Sequence, residues 1–483
     1  MQRNTIQRIV GLLLLAFSLA MLPPAAIGLI YHDGEIAPFS TTFLILLVIG
    51  FILWTPVRNS KHEIRLRGGF IIVAVFWIVL GIAGALPFLI STTPNLSLTN
   101  AVFESISALT TTGATVVSGI DNLPHSILFY RQELQWIGGM GIIVLAVAIL
   151  PMLGIGGMQL FRAETPGPMK YSKLTPRIKE TAKAIWYIYL GLTIACAIAY
   201  WLAGMSIFDA ISHSFSTVSL GGFSTHDKNL GYFDSVPIEV VAVIFMLLAG
   251  LNFALHFRVW KGLNLKYYYH DAESRTYLAV LTFTAIVASI YLYQTSTFDT
   301  PLEAIHYGIF QAVSIGTTSG FTTAKYSIWP GFLPVLLLFT SFIGGCTGST
   351  GGGLKVIRFL LLVKQGGREI FRLIHPNAQS SIKIGRKQIS ENIIDGVWGF
   401  FALYVVLFSI MMLLVMLTGL DHVTSFSAVA ACFNNLGPGL GNVGTNYADI
   451  NSPAKWILCF TMLLGRLEIF TILVLLTPEF WRK

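Results

Sequence analysis

Apolar runs long enough to cross a hydrocarbon core as helix, about 20 residues each, recur along the chain, with short polar, glycine-bearing stretches between them. Residues 9–31 and 39–57 read as a first helical hairpin, turned by Asp33-Gly34-Glu35 and followed by Arg58, Lys61, Arg65 and Arg67. Pro23-Pro24 predicts a kink in the first helix, because proline removes an intrahelical donor. After the hairpin one pattern repeats four times: a span, a short amphipathic stretch with a polar start, a Gly/Thr/Ser loop, and a returning span. The expected spans are 70–90 and 134–157, then 184–206 and 236–257, then 277–294 with a broken return helix, then 394–419 and 454–478.

The four loops are Thr110-Thr111-Thr112-Gly113, Ser219-Leu220-Gly221-Gly222, Thr317-Thr318-Ser319-Gly320 and Asn434-Asn435-Leu436-Gly437. Asn100, Asp209 and Thr424, residue types that cap helix N-termini, stand 13 residues before Gly113, Gly222 and Gly437 and are expected to open the short helices. The third unit departs from this register. It opens at Pro301 or Glu303, and 13 residues past Glu303 lies Gly316, whereas the letters Thr-Thr-Ser-Gly-Phe-Thr match the first loop and favour Gly320. In the fourth loop Gly439 is a rival to Gly437.

Composition fixes the solvent. With 54% hydrophobic and 11% charged residues in 483, the chain falls outside the range of soluble globular proteins and among polytopic membrane proteins with about ten spans. The predicted architecture is an all-α polytopic membrane protein, with four helix, pore-helix, helix repeats around a central pore plus an N-terminal helix pair. The segments are 1–68 (helix pair), 69–183, 184–275, 276–392 and 393–483 (repeats one to four). A cleaved signal peptide is the other reading of Arg3, Arg8 and the apolar run after them, but apolar character continues to Ile30, so a retained helix is expected.

The net charge of +8 does not point to nucleic acid. Of the 31 Lys and Arg, all but Arg131, Lys228, Lys325, Lys455 and Arg466 fall in segments on one side of the predicted topology. That side is cytoplasmic by the positive-inside rule, which places both termini there and brings basic loops to anionic membrane lipid. Cys196, Cys346, Cys432 and Cys459 are widely spaced, and the ten His show no metal-ligand spacing. Gly154-x-Gly156-Gly157 and Gly366-Gly367 do not follow strands, so no dinucleotide or Walker site is indicated. No nucleophile and base constellation suggests an enzyme.

A short helix that stops at mid-membrane leaves carbonyls without partners, which lipid does not tolerate; lining a water-filled axis resolves this. Carbonyls that replace a hydration shell conduct monovalent cations. The oxygens before each glycine belong to Thr111 and Thr112, Leu220 and Gly221, Thr318 and Ser319, and Asn435 and Leu436. None of these side chains is charged, which argues against a divalent site.

Two further features lie at membrane depth. Gly344-Gly345-Cys346-Thr347-Gly348-Ser349-Thr350-Gly351-Gly352-Gly353 breaks the third return helix, either as a hinge or packing patch or as an intramembrane loop acting as a gate under the filter. Arg466 lies near the middle of the last span, where a lone charge is costly. Glu468, two residues on, faces another side of a helix. The alternatives are an interhelix ion pair and a pore-side position below the filter.

These loops, together with Gln135-Trp136-Ile137-Gly138-Gly139-Met140-Gly141, resemble those of the Trk/Ktr/HKT superfamily of potassium-uptake subunits, and the bacterial Trk membrane subunits above all. The resemblance spans nearly the whole chain. It implies one polypeptide forming four helix-pore-helix units, a homodimer, and a bacterial inner-membrane location. It also implies K+ as the transported ion, coordinated at Thr111, Thr112, Gly113, Leu220, Gly221, Gly222, Thr318, Ser319, Gly320, Asn435, Leu436 and Gly437. Plant members with serine at the position of Gly113 tend to pass Na+, so glycine there favours K+. A gate of Gly345, Cys346, Thr347, Gly348, Ser349 and Thr350 with Arg466 is implied. So is a TrkA-like partner, a cytoplasmic ring of RCK-type nucleotide-binding domains on the basic segment Lys355 to Lys387. The rival mechanism is a coupled K+/H+ or K+/Na+ symporter with alternating access.

Overall fold

The computed structural model describes residues 2–59, 66–141, 178–378, 380–385, 387–467 and 469–482. Its N-terminal pair consists of α1 (Gln2–Ser18) and α2 (Leu22–Tyr31), joined by a 3-10 turn, and α3 (Ile36–Trp54). The interruption at Leu19–Met21 directly precedes Pro23 and Pro24, as proline chemistry requires. Leu44, Val48 and Ile52 stand exposed along α3, which is the face a helix shows to lipid rather than water. The acidic turn is docked on the first repeat. The buried Glu35 carboxylate accepts from Ser91 Oγ at 2.9 Å and Thr92 Oγ1 at 2.6 Å, and Asp33 accepts from Ser126 N at 2.9 Å.

The first repeat comprises α4 (Leu66–Ala83), α5 (Leu86–Ile90), the short α6 (Leu98–Leu109) and α7 (His125–Gly139). The span expected over 134–157 is described only to Gly141, and Gly154 to Gly157 lie outside the described residues. The second repeat runs α8 (Ile178–Leu202), the short α9 (Ile207–Ser219), and α10 (Val236–Ala249), which bends by 96° into α11 (Phe253–Gly262). After α12 (Lys266–His270) the third repeat follows with α13 (Ala272–Gln294), the short α14 (Pro301–Gly316), α15 (Leu333–Ile343) and α16 (Val356–Ile374). A two-stranded ribbon, Lys383–Ile384 with Lys387–Gln388, precedes the fourth repeat. That repeat contains α17 (Glu391–Leu417), the short α18 (His422–Phe433), α19 (Ser452–Arg466) and α20 (Ile469–Leu476).

Among the described residues six helices are long and apolar enough to span a membrane, or seven with the bent α10 and α11 pair. Of the other return spans, one is broken at the glycine run, one is interrupted after Arg466, and one is described only to Gly141. Burial separates the two kinds of helix. Every residue from Ala101 to Leu109 in α6 is buried, as are the later parts of the others, Ser216 to Ser219 in α9, Phe310 to Gly316 in α14 and Ser427 to Phe433 in α18, while the long helices carry exposed isoleucine, leucine and phenylalanine along their length.

The caps correct the expected helix starts. Ser97, Ser206, Thr300 and Asp421 are the N-caps, accepting from the backbone N of Asn100, Asp209, Glu303 and Thr424 at 3.4, 3.0, 3.2 and 3.0 Å. Asn100, Asp209 and Thr424 are therefore the third residues of their helices, donating to the caps rather than capping. The equal spacing survives because each cap lies three residues before the expected start. The third helix opens at Pro301, and at 16 residues it exceeds the 12, 13 and 12 of the others by about one turn. One added turn moves the loop onward without rotating it, which explains the third unit's shifted register.

Candidate functional site

The four loops share one backbone signature. Thr111, Leu220, Thr318 and Asn435 have φ of 53, 55, 64 and 53°, and two residues on, Gly113, Gly222, Gly320 and Gly437 have φ of 77, 75, 79 and 97°. Left-handed backbone at alternate positions turns successive carbonyls toward the same side, and only the glycines adopt it without strain. The signature falls on Gly320 and Gly437: Gly316 ends α14, and Gly439 is not among the positive-φ residues.

The loops also close on each other in cyclic order. A Cβ on Gly113 would run into the Gly221 carbonyl oxygen, one on Gly222 into Ser319, one on Gly320 into Leu436, and one on Gly437 into Thr112. Each glycine thus abuts the carbonyl of the residue before the next loop's glycine. The twelve loop residues singled out from sequence come together around one axis.

Every junction in this ring has its own staple, and no two are alike. Between loops one and two, Gln135 Nε2 donates to Gly221 O at 2.6 Å and Gln135 Oε1 accepts from Phe223 N at 3.2 Å. Between two and three, Asn229 Nδ2 donates to Gly222 O at 3.0 Å while its Oδ1 accepts from Thr322 N at 3.2 Å. Between three and four, Tyr326 OH donates to Pro438 O at 2.9 Å. Between four and one, Asn435 Nδ2 donates to Thr112 Oγ1 at 3.0 Å, and Tyr447 donates through OH to Gly437 O and through N to Thr115 O, at 2.8 and 2.7 Å. The Gly221 carbonyl, expected to face an ion, is thereby already shared with an amide.

Behind loop one sits a buried ion pair. Arg131 Nε meets Glu104 Oε1 at 2.8 Å, with side chains 1% and 0% exposed. Glu104 also accepts from Thr115 Oγ1 and Val116 N at 2.9 and 3.0 Å, and Arg131 Nη1 donates to Ser224 O at 3.3 Å, so the pair braces loops one and two together.

On one side of the ring all four glycines line a cavity of about 370 Å³ that also includes His226, Asp227, Lys228 and Lys325. His226 stacks on Tyr232 at 3.5 Å and bridges Asp121 at 2.7 Å and Asp209 at 3.6 Å. Burial lowers its pKa, but the two carboxylates outweigh that and raise it above 6.5.

On the opposite side of the ring lies the glycine run, Gly344 to Gly353, between α15 and α16. Its second half faces the ring. Thr350 Oγ1 donates to Val218 O at 2.9 Å, Gly352 N to Thr318 Oγ1 at 2.7 Å, and Gly353 N to Asn434 O at 3.1 Å. Lys355, itself buried, donates to Gly351 O. Gly345, Cys346, Thr347, Gly348 and Ser349 turn away from the axis: Cys346 N donates to Gly250 O and Gly348 O accepts from Phe253 N, at 2.8 and 3.1 Å. The half nearest the ring therefore includes Gly351 and Gly352, which the sequence motif contained but did not single out. Arg466 reaches the same half, donating through Nη1 to Thr350 O and through Nη2 to Gly138 O, each at 3.0 Å. Its guanidinium also lies 5.6 Å from the Trp77 ring centroid. Glu468 lies outside the described residues.

The chain matches a family model described as TrkH, cation transport protein, over residues 36–483. It belongs to that family. The chain is 58% identical to the Trk system potassium uptake protein TrkH of Vibrio parahaemolyticus and 55% identical to that of Escherichia coli K12, with full coverage of both partners in each case. It is 44% identical to TrkG of Escherichia coli K12, over 98% of this chain and 97% of the relative. The crystal structure of the potassium transporter TrkH from Vibrio parahaemolyticus superposes with a TM-score of 0.91 at 56% identity, covering all of both chains. The family is one of membrane transporters rather than enzymes.

Sequence reading missed Gln135, Asn229, Tyr326 and Tyr447 as staples, although Gln135 stood within a quoted motif. Nothing in their spacing links them to the loops they hold. The Glu104 and Arg131 pair was missed as well; a lone carboxylate in the apolar run Ala101 to Leu109 could have pointed to it.

Proposed function

We propose that this chain is the potassium-translocating subunit of a bacterial inner-membrane uptake system, passing K+ inward down its electrochemical gradient through the axis of the four loops. The cyclic contact of Gly113, Gly222, Gly320 and Gly437 with the carbonyl before the next glycine carries the reading. Backbone oxygens so arranged replace the hydration shell of a monovalent cation without a charged ligand. The relatives' names supply the ion.

Below this filter the loop Gly345 to Gly353 is the gate, and Arg466 holds it. Its position against Val218, Thr318 and Asn434 supports this, because an ion leaving the ring inward meets that loop. Arg466 adds a fixed positive charge on the same path. The amphipathic α16, directly downstream, links the gate to the basic cytoplasmic segment, where an RCK-type, TrkA-like nucleotide-binding subunit docks; pulling on α16 opens the loop. A homodimer completes the family's pattern.

Purified protein in planar bilayers tests the pore. Discrete openings with a K+-dependent reversal potential are expected. Stoichiometrically coupled flux with H+ or Na+ and no resolvable openings would establish the symport mechanism instead.

A further inference from the structure

We propose that Glu273 is the positioning residue that latches the gate loop shut from its cytoplasmic side; this rests on the reading of that loop as the gate. Glu273 lies in the first turn of α13 and is buried. A single carboxylate oxygen, Oε1, accepts from Thr347 N at 2.6 Å and from Ile357 N at 3.3 Å. Thr347 is inside the loop, and Ile357 is in the first turn of the helix that leaves it. One atom on a neighbouring span thus ties together the two arms of the break.

The chemistry suits a latch. The first N–H groups of α16 have no intrahelical acceptor, and its N-cap, Lys355, makes no side-chain cap. Glu273 supplies the missing acceptor from another helix, with its carboxyl oxygen at the positive end of the helix dipole. Hydrogen bonds to a carboxylate are stronger than those between neutral groups. Within the loop itself, residues 344 to 353 offer only hydroxyl, thiol and backbone groups, so the one carboxylate holding Thr347 N comes from outside the moving part. The loop cannot swing off the axis without withdrawing Thr347 N, or α16 without withdrawing Ile357 N.

The latch also has a handle. Asp271 caps α13, accepting from Ser274 N at 2.8 Å, and α12, Lys266–His270, lies immediately before it. That helix is largely exposed. Displacing the junction of α12 and α13 would carry Glu273 away from both donors at once.

The test is K+ influx into liposomes containing the full-length chain alone, with no cytoplasmic partner, comparing wild type, Glu273→Ala, Glu273→Gln and a variant lacking Gly348 to Gly351. Loss of both hydrogen bonds from the closed state predicts partner-free influx raised roughly tenfold in Glu273→Ala, with a smaller rise in Glu273→Gln, which keeps an acceptor oxygen. Damage to folding would lower influx, so a rise is not explained by a merely structural role. Raised influx in the deletion variant with wild-type influx in both Glu273 variants, each monodisperse on size-exclusion chromatography, would overturn the latch and leave the gate standing. Unchanged influx in the deletion variant would overturn both. Should Glu273→Ala not purify, Glu273→Gln decides alone: influx at or below wild type refutes the latch.

Discussion

The Arg466 guanidinium donates to the Thr350 carbonyl at 3.0 Å, joining the last span to the ring-facing half of the glycine loop. Its other nitrogen bonds Gly138 O, in the first repeat. Three of the four repeat units therefore meet at one side chain on the glycine-run side of the ring. Replacing Arg466 by alanine removes both bonds and a fixed positive charge. The expected result is a higher open probability and a larger unitary K+ current in single-channel recordings; unchanged values for both would remove Arg466 from the gate.

The ring glycines predict a second outcome. At Gly113 a serine would need φ near 77° and would push its Cβ against the Gly221 carbonyl. Reversal potentials in K+ and Na+ gradients should show a reduced K+ preference in Gly113→Ser. Gly437→Ala should do the same, because its Cβ meets the Thr112 and Gly113 carbonyls. Gly439→Ala meets side chains and neighbouring backbone instead, chiefly Val443 and Ser427, and should preserve selectivity even if expression falls.

The buried Arg131 and Glu104 pair makes a stability prediction. Breaking such a pair leaves one charge uncompensated, at a cost of about 3–5 kcal/mol. Arg131→Met should lower the melting temperature in detergent, and adding Glu104→Gln should recover part of the loss. A double variant no more stable than the single would show that Glu104 acts through Thr115 and Val116 alone.

The cavity lined by the ring glycines predicts a pH effect. His226 gains two carboxylate partners on folding, so its folded pKa lies above the unfolded 6.5. Its contribution is then fully present below pH 6.5 and is lost as pH rises through the raised folded value. Partial exposure keeps the effect modest. The melting-temperature difference between wild type and His226→Asn should shrink as pH is raised from about 6 to about 9. A constant difference across that range would contradict the bridge to Asp121 and Asp209.

Much of this arrangement was legible in the chain, and the reason is lipid. A bilayer forces long apolar helices and makes every polar interruption conspicuous, so Thr111 to Gly113 and its three counterparts stood out, as did Arg466 and the glycine run. The helix starts were less legible. Ser97 and Asn100, or Asp421 and Thr424, are all acceptable caps, and only backbone geometry chooses between them. The extra turn in α14 was unreadable for the same reason, since Thr300, Pro301 and Glu303 each make a plausible beginning.

The sequence by itself determined the fold class, the repeat and the four loops, because hydrophobic length and glycine placement are local properties along the chain. Only the tertiary structure decided which glycine closes each loop, which neighbour it abuts, and what holds the junctions. Gln135 with Gly221, Asn229 with Thr322, Asn435 with Thr112 and Glu273 with Thr347 join residues from different repeats, or different ends of one repeat. Such pairs depend on how helices pack around a common axis, and a hydrogen bond of this kind leaves no period or composition in the sequence that could announce it.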